Sequence, residues 1–335
     1  MPSQQQPSLY ECLGVKCPAG EAASPGQLEV YDFFACAGGF STGAAQAGCR
    51  VAYACDADPG ALETHRRNHR RAQHECLTLP NARAVARLPT DGRRFHVHCS
   101  PPCVKFSSMN RVNSFERRTE AADKAHAVDL VAWSLETMLA SRCTSWSLEQ
   151  VACPEVIRAV ERAARAHPGR VAWAKLDFSL LGVPQTRVRL VAGTPRLVTR
   201  LQRLCSKARR RTVRDVLPRP RGTHVRHGQC FKVKRLRARR GPGESKYVYD
   251  RVGWAENCRS VDRTAYTVRG HAHTWVTIRD GKAVDHSVLH PSELAALQTF
   301  PPNYKLPTRK RDAFAQVGNA VPPLVAKLLL EEEAA

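Results

Sequence analysis

Apolar residues recur along the first two-thirds of the chain in short runs separated by glycine and proline turns, which predicts strands alternating with helices. Leu28, Val30 and Phe33 to Ala35 read as a buried strand that ends in Cys36, Ala37, Gly38 and Gly39. Phe40 to Cys49 can form a short helix, and Val51 to Cys55 a second strand ending at Asp56 and Asp58. Pro59 opens another helix through about His69, a favourable first-turn position for proline. Ala72 to Arg94 is poorly patterned. Phe95, Val97 and Cys99 alternate as a strand, and Glu120 to Ala140 carries a helical stripe through Ala125, Leu130, Leu135 and Leu139. Trp146, Leu148 and Val151 suggest a strand ending at Glu149 and Gln150, followed by a helix over Pro154 to Ala166. Val171 to Leu176 and Val188 to Ala192 are further strands. Near the end, Pro291 to Gln298 reads as a short helix, Val317 to Val321 as a turn, and Pro322 to Glu333 as the last helix.

Strands alternating with helices imply an α/β fold with a largely parallel sheet. The opening strand, glycine turn, helix, strand and acid form a βαβ unit whose chemistry is nucleoside binding. The glycines let backbone approach a ligand, and the acid at the tip of the second strand can bond ribose hydroxyls. The full phosphate fingerprint is absent, since one glycine position reads Cys36, so a nucleoside without a pyrophosphate suits this turn.

The alternation breaks where the charge changes. The chain carries +22 over 335 residues. From Arg196 to Arg240 there are 17 Lys and Arg against one acid, Asp215, so +16 falls within 45 residues. Clustered cations point to a polyanionic partner, because neutralising phosphates releases counterions. Residues 196 to about 275 also carry Gly-Pro-Gly at 241 to 243 and the aromatics Phe231, Tyr247, Tyr249, Trp254, Tyr266 and Trp275. That shift marks a second, smaller region. Thirteen cysteines at irregular spacing fit an intracellular, reducing compartment better than a disulfide framework. Cys12 and Cys17 lack a matching second pair of metal ligands, so no metal is expected. No apolar run approaches a membrane span, so no membrane partner is expected.

The sharpest chemical feature is the loop from Cys99 through Ser100, Pro101, Pro102 and Cys103 to Phe106 and Ser107. Two prolines make it stiff. A cysteine on a rigid loop at the carboxyl end of a strand can be a presented nucleophile, or simply a small buried hydrophobe.

Five ordered blocks together resemble the cytosine-5 DNA methyltransferase family. They are Asp32 to Ser41; Ser100 to Cys103 with Phe106 and Ser107; Glu149, Gln150 and Val151; Gly182 to Gln185 with Arg187 and Arg189; and Glu293, Leu297, Gln298, Phe300 and Pro301 followed by Gln316 to Val321. The resemblance implies a Rossmann-like, S-adenosylmethionine-dependent methyltransferase sheet with helices on both faces, plus a smaller irregular target recognition domain. It implies four parts: a loose lead-in over 1–26, a catalytic and cofactor-binding domain over 27–194, a basic target recognition region over 195–285, and a segment over 286–335 that returns to the catalytic domain. Cys103 would be the nucleophile, Glu149 would bond N3 and the exocyclic amine, Arg189 would bind O2, and Arg187 would support the loop. Phe34, Ala37, Gly38, Gly39, Asp56, Pro102, Asn319 and Val321 would line the cofactor site. The expected partner is double-stranded DNA, the expected state a monomer, and the base would be flipped out of the duplex.

The chain departs from the family at several places. Cys36 replaces a glycine, Val104 a glutamine, Gln150 an asparagine, and Asp56 the more usual glutamate. No acid stands near Asn81 to Val85 for the adenine, and no arginine precedes the Glu293 block. Two other readings stay open: a cytosine-5 methyltransferase acting on RNA, as in the family's tRNA-directed branch, and a catalytically silent DNA-binding or partner-binding relative.

Overall fold

The computed structural model describes residues 26–102, 117–207, 210–217, 220–226, 258–279 and 282–334. The expected lead-in and the aromatics Phe231, Tyr247, Tyr249 and Trp254 lie outside these residues.

β1 (Glu29–Phe33), β2 (Arg50–Asp56), β3 (Gln73–Cys76), β4 (Phe95–Cys99) and β5 (Ser145–Gln150) run parallel, with β1 at the centre. β6 (Ala172–Asp177) and β7 (Val188–Gly193) complete a seven-stranded sheet of order β3-β2-β1-β4-β5-β7-β6, and β7 lies antiparallel to both its neighbours. Successive side chains of a strand face opposite sides. In β1, Val30 accordingly joins one apolar layer and Tyr31 and Phe33 the other. β1 is buried on both faces although it carries Glu29 and Asp32, and it was visible in the sequence through Leu28, Val30 and Phe33.

Helices cover both faces. On one side lie α4 (Arg117–Ala140) and α5 (Pro154–Ala166), which bury Val131, Leu135, Met138, Val156 and Val160 against Phe33, Phe95 and Leu148. On the other lie α1 (Gly39–Gln46), α6 (Pro195–Lys207) and α10 (Pro323–Ala334), which bury Phe40, Leu197, Leu201, Val325 and Leu329 against Val30 and Val191. Burying each such side chain contributes about 1.5–3 kcal/mol. α6 lies beyond the expected boundary at 194, yet its apolar stripe packs on this sheet. Its hydrophobic spacing of Leu197, Val198, Leu201 and Leu204 was hidden among arginines.

β3 and the short α3 (Ala82–Val85) occupy the stretch that carried no pattern. β3 is legible only in three dimensions, because its buried side chains are polar. His74 meets His65 at 2.8 Å, and Glu75 accepts from Tyr53 at 2.8 Å and from Arg83 at 3.2 Å.

The second region is more regular than expected. β8 (His224–Arg226), β9 (Cys258–Ser260), β10 (Thr274–Arg279) and β11 (Lys282–Val288) form an antiparallel sheet of order β11-β10-β8-β9. Trp275, Val225, Val261 and Val268 build its core together with α7 (Val213–Val216), α8 (Pro291–Leu297) and α9 (Lys310–Asn319). The segment expected as a turn over Val317 to Val321 is the end of α9, with Ala320 and Val321 extending beyond it. The last 50 residues thus divide: α8 and α9 pack in the second core, while α10 joins the first. Among the described residues no single helix is long and apolar enough to cross a membrane, and no group of three or more His, Cys, Asp or Glu could hold a metal.

Candidate functional site

The carboxyl ends of β1, β2, β4 and β5 meet at one edge of the sheet. β1 exits into a turn in which three of five residues adopt left-handed backbone: Phe34 at φ 60°, Cys36 at φ 47° and Gly38 at φ 90°. For non-glycine residues this conformation costs about 1–2 kcal/mol each. Several hydrogen bonds hold it. The Ala35 N–H donates to the Cys55 carbonyl at 3.0 Å, the Gly38 N–H to the Ala35 carbonyl at 2.9 Å, and the Cys36 N–H to Asp56 Oδ2 at 2.8 Å. The position where the family keeps glycine therefore carries a cysteine held in a glycine conformation. Gly39 begins α1 so close to the end of the chain that a Cβ there would lie 2.2 Å from the Val321 carbonyl oxygen. That contact brings Val321, buried, and Asn319, exposed at the end of α9, to the turn expected to bind the cofactor.

Asp56 braces this turn from β2. Its Oδ1 also accepts from the Asp58 N–H at 2.9 Å, and burial raises its carboxyl above the usual range. Each oxygen keeps a further lone pair. Phe34 is half-buried, with its ring edge-on to Trp133 at 6.3 Å. Behind them Asp32 is fully buried. Ser41 Oγ donates to its Oδ2 at 2.6 Å, its Oδ1 has no hydrogen-bond partner among the described residues, and burial raises its carboxyl to about 7. Ala37 to Gly39 are themselves buried, Gly38 against His65 and Tyr304 and Gly39 against Val321, so it is the half-buried Phe34 ring and the Asp56 carboxyl beside this turn that suit a nucleoside, which fits S-adenosylmethionine. Near the expected adenine position Asn81 is occupied as a helix cap, its Oδ1 accepting from the Arg83 N–H at 2.9 Å.

The stem of the cysteine loop is tied down on two sides. The Ser100 N–H donates to the Phe33 carbonyl and Ser100 Oγ to the Phe34 carbonyl, both at 3.3 Å. Gln150 Nε2 donates to the Pro101 carbonyl at 2.9 Å, and Gln150 Oε1 accepts from the Val151 N–H at 2.8 Å. Pro101 is buried and Pro102 exposed. Cys103 and Val104 lie outside the described residues.

Glu149 stands one residue before Gln150 on β5, opposite Val191 of the antiparallel β7. Its Oε1 is 3.2 Å from Arg189 Nε, an ion-pair distance without hydrogen-bond alignment, so this buried oxygen has no hydrogen-bond partner among the described residues. Arg189 Nη1 donates to the Val188 carbonyl at 2.8 Å. Arg269, from the second region, lies close enough that burial and the charge of Arg189 lower its pKa. Nothing in the sequence distinguished Arg269 from the other arginines.

Arg187 acts differently. It is 2% exposed, and its guanidinium donates to the carbonyls of Val268 at 3.0 Å, Ala320 at 3.2 Å and Gly318 at 3.4 Å. It joins β7 to the second region and to the end of α9. Gln185 and Gln298 form the adjoining part of this junction. Gln185 Nε2 donates to Gln298 Oε1 at 2.5 Å and Gln185 Oε1 accepts from the Val268 N–H at 2.7 Å, while Gln298 Nε2 donates to the Ala320 carbonyl at 2.7 Å. The block from Gly182 to Arg189 thus supplies one side chain to the candidate reaction centre and two to the joint behind it.

Comparison with known proteins follows the same lines. The model of the C-5 cytosine-specific DNA methylase family matches residues 28–122 and 170–333. The type II methyltransferase M.HgiDI of Herpetosiphon aurantiacus is 27% identical over 318 residues, covering 90% of this chain and 93% of that protein. Among solved structures, S. pombe Dnmt2 methyltransferase superposes with a TM-score of 0.57 at 13% identity, covering 92% of this chain and 99% of that one. A candidate DNA modification methyltransferase encoded within a prophage (E. coli) gives 0.56 at 19% identity, covering 91% and 98%. At these identities the structures speak for a shared Rossmann-like α/β fold.

Proposed function

This chain belongs to the C-5 cytosine-specific DNA methylase family, and on that premise we propose that it methylates C5 of cytosine in duplex DNA through a covalent adduct between Cys103 and the flipped base. The observation that carries this reading is the pairing of Glu149 and Arg189 at adjoining strands, with Gln150 holding the stem of the Cys103 loop beside them.

Cytosine C5 is a poor nucleophile. Addition of the Cys103 thiolate to C6 forms the C–S bond and pushes the ring electrons toward C5. Glu149 protonates or hydrogen-bonds N3 as that charge develops and accepts from the exocyclic amine. Arg189 donates to O2, where it stabilises the same charge. S-adenosylmethionine, when bound, supplies an electrophilic methyl group on its sulfonium. Loss of the C5 proton to a base then returns the electron pair to the ring and expels the Cys103 thiolate. Phe34, Ala37, Gly38, Gly39, Asp56, Pro102, Asn319 and Val321 hold the methyl donor. The region over 195–285 contacts phosphates and reads the sequence.

The direct test measures transfer of tritiated methyl groups to duplex DNA and to tRNA in competition. Transfer to duplex DNA, abolished by Cys103→Ser, is expected. Preferential transfer to tRNA would move the substrate to RNA. Failure to label either, by folded protein that binds the methyl donor, would favour the silent relative.

A further inference from the structure

A second cleft lies at the opposite end of the sheet from the candidate reaction centre. Gln27 and Arg50, at the amino ends of β1 and β2, form one wall, and the end of α2 (Pro59–Asn68) with the residues that follow it forms another. The loop from Pro301 to Lys305 closes the third side, giving a volume of about 920 Å³. That is within the usual range for small-molecule sites.

Its chemistry is two-sided. Arg50, Arg67, Arg70, Arg71 and Lys305 line it, with no Asp or Glu among the lining residues. Arg50 is held by Glu29 at 2.7 Å. Arg67 and Arg70 are exposed and have no ion-pair partner among the described residues. The carboxyl end of a helix favours cations, which accounts for a basic residue or two after α2. It does not account for their convergence with Arg50 of β2 and Lys305 of a loop more than 230 residues away. Beside these cations Ala45 and Pro301 provide accessible apolar surface, backed by the buried Cys49, Val51 and Ala72. The inner end reaches Thr42, His69 and Tyr304.

We propose that this cleft binds a nucleoside polyphosphate, with the phosphates on Arg67, Arg70 and Lys305 and the nucleoside against the apolar surface. Charge alone would suit any polyanion. A walled cleft with an apolar side favours a compact ligand that carries an uncharged moiety over a nucleic-acid backbone. At its inner end Thr42 and Tyr304 donate to the carbonyls of Gly38 and Ala37, so the cleft backs onto the glycine turn and the test holds the methyl-donor site occupied.

The test titrates ATP into the full chain saturated with S-adenosylhomocysteine, which excludes binding at the methyl-donor site. One saturable site that weakens with added salt is expected. Arg67→Ala/Arg70→Ala should weaken it at least about tenfold, from the loss of two charge-assisted contacts, while methyl transfer stays unchanged. The absence of saturable binding, or equal affinity in the double variant, overturns the proposal. Inorganic tripolyphosphate binding as tightly as ATP would also overturn it, since no nucleoside would then be recognised. Displacement of ATP by a short duplex would show a nucleic-acid surface in its place.

Discussion

Gln150 donates from Nε2 to the Pro101 carbonyl at 2.9 Å, so the strand that carries Glu149 also holds the stem of the loop that carries Cys103. One buried amide thus ties the strand that carries Glu149 to Pro101, at the stem of the loop. Gln150 is fully buried, and its other end is satisfied by its own neighbour's N–H.

Gln150→Ala is expected to lower the single-turnover rate of methyl transfer by about tenfold or more, since misplacement of about 1 Å can cost a hundredfold. Affinity for S-adenosylhomocysteine should stay within about twofold. A rate equal to that of the parent protein would show that the loop is positioned by other contacts.

Arg189→Ala removes the proposed donor to O2 and leaves Glu149 without its ion-pair partner. Loss of one donor to developing charge typically costs about 10²–10³ in rate. The expected outcome is a fall of that size in turnover with duplex binding largely retained, read by rapid quench and by gel shift on the same preparation.

Arg187→Met should act on stability. The guanidinium is buried and serves three carbonyls from two segments. Hydrogen bonds to charged groups contribute about 1.5–3 kcal/mol each. A loss of about 3 kcal/mol or more is expected, lowering Tm by roughly 6 °C or more at about 2–4 °C per kcal/mol. A melting curve that matches the parent protein would exclude this bracing role.

Gly39→Ala would place a Cβ 2.2 Å from the Val321 carbonyl oxygen, a backbone atom that cannot swing aside. The α1 terminus and the 320–321 segment must then separate, opening the turn on which the methyl donor is proposed to sit. Calorimetry should show S-adenosylhomocysteine affinity reduced at least about tenfold, as expected when a positioned site is displaced by about 1 Å.

Asp32 predicts a pH signature. In the folded chain burial keeps it protonated up to about pH 7, whereas its ordinary pKa is 3.8. Between these values the unfolded chain binds fewer protons than the folded one, so this group's contribution to stability falls as pH rises from about 4 to about 7. Buried histidines act in the opposite sense. Burial lowers His69 and His74 to about 4 and His96 to about 3 from 6.5, so stability is gained as pH rises toward 6.5. Asp32→Asn isolates the first effect. Its Tm relative to the parent should rise between pH 4 and 7 and then level off, and a difference independent of pH would refute the assignment.

Where side-chain periodicity and burial agree, the elements were legible. β1, β2, β4, α5 and α10 show their apolar faces directly. β3 was not legible, because His74 and Glu75 are buried through polar partners that only the fold supplies. α6 was masked by arginines that flank its apolar stripe. The strands from 224 to 288 were masked because their pairing is non-local and their sequence strongly basic.

The sequence by itself determined the α/β class, the family resemblance and the residue types able to perform the chemistry, because these rest on local periodicity and on ordered short blocks. Only the tertiary structure decided how the residues of one block divide their work. Arg189 meets a carboxylate across adjacent strands, while Arg187, two positions earlier, is committed to backbone carbonyls 81, 131 and 133 residues away. Spacing along one strand is identical for any pair two residues apart, and the partner that each finds depends on what distant backbone is packed beside it.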